Sequence, residues 1–362
     1  MIKNLNKKKD TMIAFLIYKL ILCVVVFAIS LGIAAYSTLW ERKLSALLQD
    51  RVGPDRAGPF GLLQPLADGG KMFFKEEIIP NVSNRFLFVL GPSLVMLTAL
   101  MTGAVIPWTK DIYVNGHLYS MQITDINIGV LYLFGVVSVG VYGIMIGGWA
   151  SNNKYALLGA IRASSQMISY EIAMGIAVIA LIITSGGTLS LREIVEQQDA
   201  GLANIVWQPL GFIIFFVCAL AETNRAPFDL PECEAELVGG YHTEYSSMKL
   251  GLFLFAEYIN MFISSAVMSA FYFGGYNFPF AHELYDALGL QDGSKWIAII
   301  GFGAYFTKIA IFISVFMWIR WTLPRFRYDQ LMKLGWRVLL PLSLLNLAIT
   351  VVVEFIRGNI TF

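Results

Sequence analysis

Charge is scarce in this sequence. Asp, Glu, Lys and Arg supply 14% of its 362 residues, where a soluble domain carries about a quarter. Hydrophobic residues supply 57%, so the apolar excess points to a bilayer rather than to a large aqueous core. Cysteine and histidine are also rare, at three each. Cys23, Cys218 and Cys233 stand at no metal-ligand spacing and the histidines are scattered. A metal, haem or iron–sulfur site held by this chain is therefore not expected. No glycine-rich phosphate loop follows a strand pattern, which argues against a nucleotide site. Strand alternation of the outer-membrane barrel kind is missing too. A net charge of +1 offers no basic excess for a nucleic acid, and none is expected as a partner.

What is present is a series of long apolar runs. A membrane helix needs about 20 mainly apolar residues, and eight stretches meet that test: 12–39, 86–106, 126–150, 156–184, 205–221, 247–273, 296–319 and 338–357. The first follows the lysine-rich MIKNLNKKKDTM. It is too long for a signal-peptide core and shows no small-residue cleavage site, so it reads as a retained first helix. The expected fold is a single all-α polytopic membrane domain over residues 1–362. Of the 26 Lys and Arg residues, sixteen fall on the side of the connections after helices 1, 3, 5 and 7. Eight fall on the opposite side, four of them in the N-terminal tail. By the positive-inside rule both termini face outward and the odd-numbered connections face the cytoplasm, or the matrix of a mitochondrion.

Two cytoplasmic connections carry unusual patterns. Between residues 60 and 76, Leu63, Leu66, Phe73 and Phe74 fall on one helical side and Asp68, Lys71 and Lys75 on another. This piece is too short to span and is expected to lie in the membrane interface. The connection 222–246 holds Glu222, Asp229, Glu232, Glu234, Glu236 and Glu244. Glu232 and Glu236 share a face if the segment is helical, so repulsion is built in. Apolar neighbours (Cys233, Ala235, Leu237, Val238) argue against a wholly wet loop. Crowded carboxylates in a partly dry site tend to hold protons. Three further ionisable residues lie deep in apolar runs. Glu171, Lys308 and Glu257 sit about 21, 20 and 15 Å along their helices at 1.5 Å per residue, where a charge is costly and usually functional. Lys19, near a helix start, can snorkel to the interface.

Five blocks then become specific in combination. They are ERK (41–43), QDRVGPDRAGPFGLLQPLADGGKMFFKEEIIP (49–80), GWASNNKYALLGAIRASSQMISYEIAMG (148–175), AETNRAPFDLPECEAELVGGYHTEYSSMKLGLFLFAEY (221–258) and WTLPRFRYDQLMKLGW (321–336). In this order, over about residues 12–357, the chain resembles the H-type (subunit 1) membrane family of respiratory complex I, the proton-translocating NADH:quinone oxidoreductase. The resemblance implies a heel subunit with eight transmembrane helices plus the amphipathic interfacial helix, joining the membrane arm to the peripheral arm. It implies quinone as substrate, with iron–sulfur clusters, FMN and NADH on partner subunits and no cofactor or redox centre here. It implies quinone-chamber roles for Arg42, Asp68, Lys71, Glu222, Arg225 and Phe228, with Phe228 against the isoprenoid tail. A proton pathway is implied through Glu171, Glu222, Glu232, Glu234, Glu236, Glu244 and Glu257, with Lys308 a further candidate from its depth. Partners implied are other membrane-arm subunits, the peripheral subunits that carry the terminal iron–sulfur cluster, quinone and lipid. The lysine-rich tail and the long loop 107–125 depart from the family pattern.

Two other readings are open to the residues. A membrane-bound energy-converting hydrogenase has an equivalent subunit without a quinone. A stand-alone ion transporter would suit the embedded Glu171, Glu257 and Lys308 but has no need of long docking loops. The length and the tail favour a bacterial inner membrane over a mitochondrial one.

Overall fold

The computed structural model describes residues 2–114, 117–199, 202–229, 239–279, 281–289 and 294–358. Helix α1 (Ile2–Leu48) is followed by a short turn at Pro59–Gly61 and by α2 (Gln64–Phe74). Then come α3 (Arg85–Thr102), α4 (Gly129–Ala150) and α5 (Lys154–Thr184). Two small helices, α6 (Leu191–Gln197) and α7 (Asn204–Trp207), lead to α8 (Pro209–Glu222). The chain continues through α9 (Ser247–Tyr272), α10 (Ala281–Ala287), α11 (Lys295–Thr322), α12 (Tyr328–Lys333) and α13 (Leu340–Ile356). A π-helical turn at Leu334–Leu339 makes α12 and α13 one continuous rod. Among the described residues, seven helices are long and apolar enough to cross a membrane. The chain is an all-α polytopic membrane protein.

Helix ends differ from the sequence expectation in informative ways. Helix α1 runs well past residue 39, so Glu41 and Arg42 lie on its last turns rather than in a connection. Its buried residues Val26, Ser30, Ala34, Ser37, Glu41 and Ser45 recur at three- and four-residue spacing. They form the stripe that packs on α9 and α11, and the small members let those helices approach. The run expected as one span at 205–221 is divided. Gln208 leaves the helical region (φ −128°, ψ 52°), and Pro209, which has no N–H to donate, opens α8. Helix α8 therefore has 14 residues, about 21 Å at 1.5 Å per residue.

The centre of the bundle is made by α3, α4, α5, α8 and α9. Glycine sets its closest approach. A Cβ on Gly148 would stand 2.3 Å from the Ala160 Cβ and 2.8 Å from the Ala156 carbonyl oxygen, so α4 meets α5 at backbone distance. On the far side, β1 (Ile112–Val114) and β2 (His117–Tyr119) pair antiparallel within the long loop. That loop is tied to α1: the Tyr18 hydroxyl donates to the Ser120 carbonyl at 2.6 Å and Lys19 Nζ to the Gln122 carbonyl at 2.5 Å.

Candidate functional site

The interfacial segment forms α2, with Leu66, Phe73 and Phe74 strongly exposed on the side suited to acyl chains. Its other side is fastened to the bundle. Asp68 pairs with Arg42 at 2.7 Å and lies 3.8 Å from Lys71, and it accepts from Gln64 at 3.0 Å. The Ser247 hydroxyl donates to the Met72 carbonyl at 3.0 Å, which pins α2 to the start of α9. Between α1, α2 and α9 a cleft of about 180 Å³ opens, lined among others by Arg42, Asp68, Met72, Leu254, Phe255 and Tyr258. Its walls are mainly apolar and its charged groups are few, the composition of a site for an apolar molecule with a polar head.

Tyr258 joins this cleft to a buried ion cluster. Its hydroxyl donates to Glu41 at 2.9 Å. Glu41 also pairs with Arg320 at 2.5 Å and with Arg225 at 3.4 Å, while the Arg225 guanidinium lies 4.1 Å from the centre of the Tyr258 ring. Glu41 and Arg225 are 6% and 5% exposed. Burial works against the Arg225 charge, but Tyr258, Glu41 and Glu257 outweigh it and push its pKa above the ordinary value. The guanidinium thus stays cationic, with Nε and Nη2 lacking a hydrogen-bond partner among the described residues. Two arginines on one carboxylate here, and Arg42 with Lys71 on Asp68 at the cleft, leave both clusters with a surplus of positive charge.

The turn that carries Arg225 is held from three sides. Gln166 Nε2 on α5 donates to the carbonyls of Ala221 and Phe228, each at 2.8 Å. The Phe326 N–H donates to the Pro227 carbonyl at 3.0 Å, and Arg325 stands 3.8 Å from the buried Asp229. These bonds draw Phe228 inward. Its ring packs on Tyr170 and Phe326 and is 3% exposed. The ring therefore faces the protein interior rather than the cleft where a tail-contacting side chain was expected.

A second, smaller cavity lies deeper in the bundle. About 20 Å³ in volume, it is lined by Glu222, Glu257, Thr98, Asn224, Tyr241 and Asn260 among others, which is room for one water with several polar partners. The Tyr241 hydroxyl donates to Glu257 at 3.3 Å. Glu171 does not line this cavity; it accepts a hydrogen bond from the Ser138 hydroxyl between α4 and α5. Glu244 accepts from Asn153 Nδ2 at 2.7 Å. Lys308 is placed elsewhere. Its Nζ donates to the carbonyls of Phe273, Gly275 and Asn277, just past the end of α9, where helix-end carbonyls need donors. Glu232, Glu234 and Glu236 lie outside the described residues.

Sequence reasoning therefore assembled Arg42, Asp68 and Lys71 correctly as neighbours but missed Glu41, Tyr258, Arg320 and Gln166 as parts of the site. For Glu41 a signal existed. It continues the three- and four-residue spacing of small residues on α1, so it faces the bundle. Arg320 and Gln166 come from helices distant in sequence, and no local pattern announces them.

Comparison with known proteins places this geometry in a family. The family model described as NADH dehydrogenase matches residues 20–351. The H 1 form of the NADH-quinone oxidoreductase membrane subunit from Cytophaga hutchinsonii is 66% identical, over 93% of this chain and 97% of the relative. The H-type subunit of the NADH-quinone oxidoreductase of Flavobacterium johnsoniae is 59% identical, over 93% of this chain and 95% of its own length. NADH-quinone oxidoreductase subunit 8 of Rhodothermus marinus is 48% identical, over 84% of this chain and 88% of that protein. On the breadth of these matches, the chain belongs to the NADH dehydrogenase family.

Proposed function

We propose that this chain is the quinone-chamber and proton-coupling membrane subunit of a proton-translocating NADH:quinone oxidoreductase. One observation carries the reading. Tyr258 and Glu257 are adjacent on α9, yet Tyr258 lines the interfacial cleft and Glu257 lines the interior acidic cavity. The same junction recurs on the other wall, where Glu222 lines the cavity and Arg225, three residues on, reaches the Glu41 that Tyr258 also binds. A charge change at the cleft is thus close along the chain to two carboxylates able to release or take up a proton.

The chemistry divides as follows. Quinone enters from the bilayer past the apolar side of α2 and its tail lies along Met72, Leu254 and Phe255. Arg42, Lys71, Arg225 and Arg320 surround the cleft with net positive charge, which favours the electron-rich oxygens of a quinone being reduced. Electrons arrive from partner subunits carrying iron–sulfur clusters, FMN and the NADH site. Glu222 and Glu257, with Glu171 beyond them, take the change in proton demand inward. Glu232, Glu234, Glu236 and Glu244 supply protons from the cytoplasmic side of a bacterial inner membrane, where the peripheral subunits dock.

Asp68→Asn tests the quinone half. The Arg42–Asp68 pair is partly exposed, so its loss costs stability only about 0–1 kcal/mol and the complex should still assemble. Quinone reduction should fall by about tenfold, the equivalent of about 1.4 kcal/mol in the barrier, while NADH oxidation by a water-soluble acceptor at the flavin end is retained. Equal loss of both activities, with the complex missing from membranes, would assign Asp68 to assembly instead.

Orientation has its own test. Helices α4, α5, α8, α9 and α11 lie between Asp125 and Asp329. If the short α8 completes a crossing, single cysteines at these two positions label from opposite faces. Labelling from one face would mean that α8 enters and returns, and would move the C-terminal half to the other orientation.

A further inference from the structure

Helix α13 carries a second polar strip that plays no part in the proposed chamber. Ser343, Asn346, Thr350 and Glu354 recur at three- and four-residue spacing and are all 5% exposed or less, so one face of a membrane helix is polar and buried. The strip meets the break between α7 and α8. Gln208 Nε2 donates to the Thr350 hydroxyl at 2.7 Å. Asn346 Nδ2 donates to Gln208 Oε1 at 3.0 Å, and the Thr350 hydroxyl donates to the Asn346 carbonyl at 2.8 Å. At its outer end Glu354 pairs with Arg357 at 3.1 Å, whose guanidinium sits 4.0 Å from the centre of the Trp207 ring.

The inner end is incomplete. The Tyr272 hydroxyl, on a fully buried residue, has no hydrogen-bond partner among the described residues. Leaving such a group unpaired costs about 1–3 kcal/mol. Gly211, on α8, marks where its partner belongs. The three atoms nearest to a Cβ built there are all polar: Gln208 Oε1 at 3.1 Å, Asn346 Nδ2 at 3.2 Å and the Tyr272 hydroxyl oxygen at 3.5 Å. One acceptor, one amide donor and one hydroxyl therefore converge on a point that only a glycine leaves free. A buried water needs two to four polar partners, and this point supplies three.

We propose that Gly211 leaves room for one bound water, held by Tyr272, Gln208 and Asn346, and that this water ends a proton relay reaching in from Glu354 at the far face. The water donates to Gln208 Oε1, accepts from Asn346 Nδ2 and joins the Tyr272 hydroxyl to the strip. Thr350 then connects the amides to the turn of helix that carries Glu354. The relay gives the far side of the membrane proton access to the bundle interior, separate from the acidic cavity of Glu222 and Glu257. Its role in translocation rests on the function proposed above; the water itself does not.

The test uses the intact complex. A density map fine enough to show other buried waters should place a peak about 2.6–3.2 Å from all three atoms, and Gly211→Ala should remove it. No peak in the unmodified complex overturns the site. Glu354→Gln and Gly211→Ala complexes in vesicles should then reduce quinone at near-normal rate but move at least about twofold fewer protons per electron, a loss well below the 10²-fold or more of a removed acid–base group. An unchanged proton ratio in both overturns the relay, whereas a complex without quinone-dependent turnover at all overturns the parent function instead. Tyr272→Phe, which removes only the unpaired hydroxyl, should lose the water and leave the amount of assembled complex unchanged.

Discussion

Replacing Glu41 by alanine should remove most of the chain from the assembled complex. Glu41 is the shared carboxylate of Arg225, Arg320 and Tyr258. Two of those partners are cations, and Arg225 already has Nε and Nη2 without partners among the described residues. Alanine would strip the paired carboxylate from a guanidinium that is 5% exposed. Breaking one side of a buried pair costs about 3–5 kcal/mol, against a total stability of about 5–15 kcal/mol for a typical domain. Glutamine keeps the shape and one carbonyl acceptor but not the charge, so Glu41→Gln should retain more complex than Glu41→Ala. Native gel electrophoresis of membranes, compared at equal expression, gives the amounts. If both variants assemble at the unmodified level, the cluster does not hold the turn at 223–229 in place, and the positive charge beside the cleft must be held by the Gln166 and Phe326 contacts alone.

Glu41 sits on a helix whose membrane class is legible in the sequence, because twenty-residue apolar runs have few other uses. Helix α2 is legible because a single amphipathic pattern contains its own answer: Leu66 and Phe74 outside, Asp68 inside. The division of the fifth run is harder. Pro209 marks a possible start, but only the polar environment of Gln208, supplied by Thr350 and Asn346 more than a hundred residues later, makes a broken helix tolerable there. Lys308 misleads for the same reason. Its depth in an apolar run is real, yet three carbonyls beyond α9 occupy its ammonium group, and that need is invisible along α11 alone. Phe228 lies in a motif-rich block, and its inward turn follows from Gln166 on α5. Depth and residue type can be read locally; the partner that fixes a side chain's direction comes from another helix.

Glu257→Gln should separate electron delivery from proton movement. Glu257 and Glu222 face one small cavity, and Glu257 receives the Tyr241 hydroxyl at 3.3 Å. Glutamine has nearly the same volume and keeps an acceptor for Tyr241, but it carries no titratable proton. The packing around the cavity should survive and the complex should assemble. The cleft, the Arg42–Asp68 pair and the Glu41 cluster are untouched, so NADH oxidation by a flavin-end acceptor should be normal. If Glu257 is the residue through which cleft chemistry reaches the interior, then quinone turnover tightly coupled to pumping should fall by about 10²-fold, the contribution of a positioned proton carrier. Protons taken up per electron should fall with it. Glu222→Gln, across the same cavity, should give the same result. Glu171→Gln, bonded to Ser138 outside the cavity, should lower the proton ratio as well if the path continues along α5. Proton uptake per electron in vesicles holding equal amounts of assembled complex decides among these. Normal pumping in Glu257→Gln and Glu222→Gln would show that the cavity carboxylates serve only to pack α8 against α9, since a glutamine can fill that place as a neutral hydrogen-bonding group.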